Sequence, residues 1–187
     1  MQAQTLSGGF ENPALQSADV FRNVMEAMAR PGTIQTVAGA LPPAALSPAA
    51  GAILLTLCDT ETPVYLAGPA DCDDLRAWLA FHTGAPVVGP SQAMFAVGTW
   101  DALGPLSAYL IGTPEYPDRS ATLIVESATL VAEGATLTGP GIKDSAALSV
   151  PDVAALQSNR ALFPLGLDFI LTCGDRLAAL PRTTEVS

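Results

Sequence analysis

Residues 136–144, TLTGPGIKD, place two glycines around a proline, followed by the chain's only lysine and an aspartate. Three chemistries fit those residue types. Within Gly139–Lys143, Gly141 and the backbone N–H groups that follow it could form a small anion nest with Lys143 as its charge. Lys143 could serve as a Schiff-base nucleophile. Or the segment is a turn that shapes a surface. A Walker A loop requires GxxxxGK[ST] and a dinucleotide fingerprint requires GxGxxG; GPGIK matches neither. Pro140 also removes one of the N–H donors a phosphate cradle uses.

Other reactive residues are sparse. The chain has one histidine, His82, in FHTG, and no GxSxG precedes a helix, so a Ser-His-Asp or Cys-His site has little support. A histidine there fits a helix C-terminus, where the dipole suits a positive charge. Cys58, Cys72 and Cys173 lack CxxC spacing, and with one histidine they make no zinc site. Cys58 and Cys173 fall in apolar runs and read as core residues, whereas Cys72 lies among carboxylates, poor surroundings for a thiolate nucleophile. Asp71, Asp73 and Asp74 could hold a cation, but carboxylates also belong at a helix start. No metal is expected.

Composition narrows the classes further. The 187 residues fit one domain, 1–187, able to bury a substantial core. With 49% hydrophobic and 14% charged residues, the chain must cover surface with small residues or bury it against partners. The net charge of −10 and the scattered arginines leave no basic stripe for nucleic acid or an anionic membrane. No apolar run reaches membrane-spanning length, the N-terminus lacks signal-peptide features, and the cysteines suggest no disulfide framework. A reduced cytoplasmic protein is expected.

The elements that must position these residues follow from periodicity. Residues 1–16 read as an irregular arm. A helix capped by Ser17 follows, with Val20, Phe21, Val24 and Met28 on one face, stopped by Pro31 and Gly32. A strand is expected over 32–37. A buried helix starts at Ser47 and Pro48, a strand covers 62–68, and an amphipathic helix runs over 73–84. APVV and AMFAVGTW read as inner strands, with a short helix or turn at Asp101. ATLIVESATL (121–130) and ATLTG (135–139) look like paired strands, and 151–163 like a helix. GLDFILTCG and DRLAALPRTT read as strands joined at Gly174 and Asp175. This mixture predicts an α/β fold, a single mixed sheet covered by helices on both faces.

The segments FRNVMEAMARPG, LLTLCDTETPV, FHTGAP, FAVGT, ATLIVE, LTGPGIKD and FPLGLDFILTCG…PRTT, in this order over residues 10–186, resemble the PhnH family. That is the H subunit of the bacterial carbon–phosphorus lyase system for phosphonate use. The resemblance implies a fold similar to the large domain of pyridoxal-phosphate-dependent transferases that has lost the cofactor site, so no cofactor is expected. It implies a homodimer when alone and a core complex with PhnG, PhnI and PhnJ. It further implies a role beside the G, I and L subunits in coupling methylphosphonate to the ribose carbon of ATP, with release of adenine. The family supplies no catalytic residue to carry over, and catalytic residues stay unassigned. The alternative is a stand-alone ligand-binding protein or transferase that uses Lys143 to hold pyridoxal phosphate or phosphate.

Overall fold

The computed structural model describes residues 7–187. The first helix, α1, spans Pro13–Ala29. It begins four residues before the expected Ser17 cap because Pro13 occupies the first helical position with its φ already set. The expected arm is therefore helical from residue 13, and its residues 1–6 lie outside the described residues. α2, Pro48–Leu57, uses the same proline device, and the Ser47 hydroxyl accepts from the Ala50 N–H at 3.1 Å. Residues 49–54 of α2 are all buried, as its unbroken apolar sequence requires. α3 spans Asp73–His82, with Asp73 and Asp74 in its first turn and Gly84 at φ +69° just beyond its end.

Six strands form the main sheet. They are β1 (Gln35–Thr36), β2 (Val64–Leu66), β3 (Phe95–Thr99), β4 (Thr122–Glu126), β7 (Asp168–Cys173) and β8 (Arg176–Leu180), ordered β1-β8-β7-β4-β3-β2. β2, β3, β4 and β7 run parallel, while β8 and β1 are antiparallel to their neighbours. Between β4 and β7 the chain forms β5 (Ala135–Thr138) and β6 (Ala146–Leu148), which join the C-terminal β9 (Glu185–Val186) in a second sheet ordered β6-β5-β9. The expected single sheet is thus two. The expected pairing of residues 121–130 with 135–139 does not occur. β4 is apolar on both faces and takes two parallel neighbours, whereas β5 pairs antiparallel with β6 and β9.

Side chains of the main sheet alternate between two cores. Ile124, Ile170 and Leu177 face α1, α2 and α3; Leu123, Val125, Phe169 and Leu171 face the second sheet and two more helices. These are α4 (Trp100–Leu103) and α5 (Val153–Arg160), the latter capped by Asp152 and shorter than the expected 151–163. The second face is therefore covered by a small sheet as much as by helices. Two local readings also change. APVV contributes one isolated bridge, Val64 to Val87, and Phe21 lies 48% exposed while Val20, Val24 and Ala27 take the buried face of α1. The hairpin at Gly174 and Asp175 forms as expected between β7 and β8.

One ion pair closes the amino ends of the parallel strands. Arg182 donates to Asp168 Oδ1 from its backbone N–H at 2.8 Å and from Nε at 3.2 Å, and its Nη2 reaches Asp168 Oδ2 and the Ser120 hydroxyl. Its Nη1 donates to the Pro117 carbonyl at 2.6 Å. The two side chains are 12% and 16% exposed, so removing one leaves the other charge buried without its partner. Arg182→Ala is expected to lower stability by about 3 kcal/mol or more, and Arg182→Lys to recover only part of it because the fork of donors is lost. Urea denaturation of the three proteins checks this.

Candidate functional site

The stretch singled out in the sequence forms a type II turn. Ile142 N–H donates to Gly139 O at 3.1 Å, Pro140 sits at the second position, and Gly141 takes φ +84° at the third. Gly141 is needed on two counts. Its φ is left-handed, and a Cβ there would lie 2.0 Å from the Ala29 carbonyl oxygen at the end of α1. Gly139, at φ +126°, passes close to Thr183 O. Lys143 follows the turn as an exposed residue, and no ion pair or hydrogen bond engages its side chain among the described residues. A Schiff-base lysine works from a desolvated site, which this exposed position does not provide.

The other candidates are dispersed. His82 ends α3, its ring held against Trp78 at 5.1 Å and Phe81 at 4.9 Å and covered by Gly9. Cys58 is buried, and burial pushes its thiol up to about 12 against a hydrogen bond from Thr62, so it is an inert core group. The Arg76 side chain hydrogen-bonds Asp71 and holds that carboxyl below its ordinary value. Asp73 and Asp74 complement the N-terminus of α3. Among the described residues no group of three or more His, Cys, Asp or Glu is placed to hold a metal.

The structure assembles a different site at the carboxyl ends of β3 and β4. Trp100, Glu126, Ser127, Ala128, Thr129, Ser149, Val150 and Pro151 line a crevice of about 230 Å³. The carboxyl ends of parallel strands are where open α/β sheets bind ligands, although β2, β3, β4 and β7 follow one another in a single direction and no reversal of strand order falls between β3 and β4. Glu126 is the last residue of β4, and its Oε1 accepts from the Ser47 N–H at 2.8 Å, anchoring the start of α2. Burial pushes its carboxyl above the ordinary value, opposed by the Ser47 backbone and hydroxyl and by the Thr172 hydroxyl. The Ser149 hydroxyl accepts from Val131 N–H at 3.0 Å and fixes the opposite wall. Sequence reading passed over Glu126, although a carboxylate closing a five-residue buried strand is a visible signal.

Comparison with known proteins gives this architecture a family. The model of the family described as bacterial phosphonate metabolism protein (PhnH) matches residues 8–187. The chain belongs to the PhnH family. It is similar to the alpha-D-ribose 1-methylphosphonate 5-triphosphate synthase subunit PhnH of Rhizobium meliloti (strain 1021), with 41% identity over 99% of this chain and 97% of the relative. It is also similar to the protein of Stutzerimonas stutzeri named "Putative C-P lyase subunit protein HtxG", with 31% identity over 95% of this chain and 88% of that one. Both relatives are named as subunits.

Gly141→Val is expected to cost at least about 1–3 kcal/mol, and Lys143→Ala to change stability by no more than about 0.5 kcal/mol, as thermal melts will show. Glu126 governs a pH effect. Its folded carboxyl is raised above the unfolded value, so it binds a proton more readily when folded, and stability falls as pH rises through that window. Glu126→Gln removes the titration while keeping an acceptor for Ser47. The melting temperature of the variant relative to the parent should therefore be highest near pH 7 and decline as pH is lowered toward 5.

Proposed function

We propose that this protein is the H-type subunit of the assembly that forms alpha-D-ribose 1-methylphosphonate 5-triphosphate from ATP and methylphosphonate, an accessory chain that is catalytically silent alone. The observation that carries this reading is 41% identity to the Rhizobium meliloti subunit across nearly the whole of both chains. The purified chain should release no adenine from ATP and methylphosphonate. Added to the G, I and L subunits, it should be required for that release. Turnover by the isolated chain would reject the reading.

Its partners in this reading are PhnG, PhnI and PhnJ in a cytoplasmic core complex, and a second copy of itself when they are absent. The chain, 1–187, acts as one domain, related in fold to the large domain of pyridoxal-phosphate-dependent transferases. The parallel core of the main sheet supports that kinship, and the exposed Lys143 agrees with a lost cofactor site. Gly139, Gly141 and Lys143 serve as a contact for an anion or for a partner in the assembled complex.

Support for the homodimer comes from α1. Ala14, Ala18, Phe21 and Met25 recur at alternating spacings of four and three, all on exposed positions, with Phe21 at 48% and Met25 at 51%. An exposed apolar stripe beside an equally apolar buried one calls for a covering partner. In an antiparallel, twofold arrangement the small Ala14 and Ala18 of one copy meet the bulky Phe21 and Met25 of the other. Phe21→Glu should convert a dimer into a folded monomer, seen by light scattering over a concentration series with circular dichroism as the control. A monomer mass for the parent chain at every concentration would count against the dimer.

A further inference from the structure

A small cavity lies where α5 meets the C-terminal strand. Asn159, Arg160, Arg182 and Thr184 line it together with Leu156 and Val186. Its free volume of about 10 Å³ is the space of a single water. Two enclosed polar atoms of this lining, Arg160 Nε and Thr184 Oγ1, find no hydrogen-bond partner among the described residues. Thr184 is only 4% exposed, so bulk water does not serve it. The other polar side chains of the lining are committed. Arg182 directs its donors to Asp168, Pro117 and Ser120. Asn159 holds the N–H and the carbonyl of Leu167 through the two ends of its carboxamide. An N–H and a hydroxyl left buried and unpaired are costly, and such groups in folded chains nearly always meet protein or ordered water.

We propose that this cavity holds one ordered water, which bridges Arg160 Nε and Thr184 Oγ1 and so joins the last turn of α5 to the segment entering β9. The water oxygen accepts from the Arg160 N–H, and the water exchanges a hydrogen bond with the Thr184 hydroxyl, which can donate or accept. Asn159 lines the same space, and its Oδ1 keeps a second lone pair for a remaining proton. A halide would also accept from both groups. It is the larger species, and room for one water-sized sphere excludes it. Two other contacts join the same elements. Gln157 Nε2 donates to Val186 O at 2.9 Å, and Arg160 Nη2 lies 3.5 Å from Glu185 Oε1. That ion pair is open to solvent on the Glu185 side and contributes little alone, which leaves the water as the enclosed part of the junction.

Crystals of the full chain soaked in sodium bromide and refined at high resolution test the occupant directly. One ordered peak within about 2.7–3.2 Å of both atoms, without anomalous signal, is expected. No peak, or a bromide, overturns the proposal. Thermal melts test the bridge by the sign of one substitution. Were the Thr184 hydroxyl unpaired, Thr184→Val, which keeps the shape, would leave the melting temperature unchanged or raise it. A bridged hydroxyl requires the opposite, a fall of about 2–4 °C, with Thr184→Ser closer to the parent. Arg160→Met removes Nε and keeps the stem, and Glu185→Gln measures what the ion pair alone contributes, so Arg160→Met should cost more than Glu185→Gln. Because both groups share one water, Thr184→Val combined with Arg160→Met should lose less than the sum of the two single losses. A neutral or stabilising Thr184→Val, an Arg160→Met no worse than Glu185→Gln, or strictly additive losses would each overturn the bridge.

Discussion

A single guanidinium decides which edge of the main sheet is closed. Arg182 binds Asp168 at the start of β7 and reaches Pro117 and Ser120 just ahead of β4, so two distant pieces of chain converge on it. Charges this deeply enclosed contribute through geometry more than through net attraction, since desolvation offsets much of the Coulomb energy. What the pair supplies is position. Immediately after Arg182 the chain turns at Thr184, whose N–H donates to Pro181 O at 2.8 Å, and then adds β9 to the second sheet. The small sheet is thereby fastened to the large one. The amino edge is sealed, and the opposite edge, where Glu126 stands, keeps its crevice.

The turn at residues 139–142 follows from the same arrangement. β5 pairs with β9, so the chain leaving β5 must turn beside Thr183 and the end of α1. Only a residue without a side chain can pass the Ala29 carbonyl there, which makes Gly141 a requirement of packing rather than of catalysis. α1 is consequently held by its buried stripe against β8 and by its C-terminus against this turn, while its remaining apolar stripe faces outward. α1 thus packs against α2, β8 and β1 on one side and leaves Phe21 and Met25 exposed on another.

How much of this was legible from residues alone depended on whether the deciding interaction was local. The β7 and β8 hairpin and the buried α2 were readable because Gly174 with Asp175, and Ser47 with Pro48, mark their boundaries within a few residues. The start of α1 was misplaced at Ser17 because Asn12 and Pro13 carry the same proline signal without a side-chain cap bond. Phe21 was assigned inward because 20, 21, 24, 25 and 28 satisfy two helical stripes at once, and only packing chooses between them. The second sheet was missed for a related reason. Strands of two to four residues have too short a period to read, and β5 finds its partners about ten and fifty residues further on. Glu126 belongs to the same class: its burial and its contact with Ser47 join positions 79 apart.

Charge accounting then limits what the chain can do by itself. Arg22, Arg30, Arg76, Arg160 and Arg182 are all engaged by carboxylates of the same chain. Of the eight cationic side chains, Arg119, Arg176 and Lys143 remain without a carboxylate partner among the described residues, and Arg119 lies over the Tyr116 ring. None of the three lines the crevice. A triphosphate draws its binding energy from clustered cations and from N–H groups at a helix start. A chain of net charge −10 with its arginines so committed repels that group over most of its surface. The same acidity that makes the isolated protein a poor phosphate binder makes it a complementary partner for a basic one.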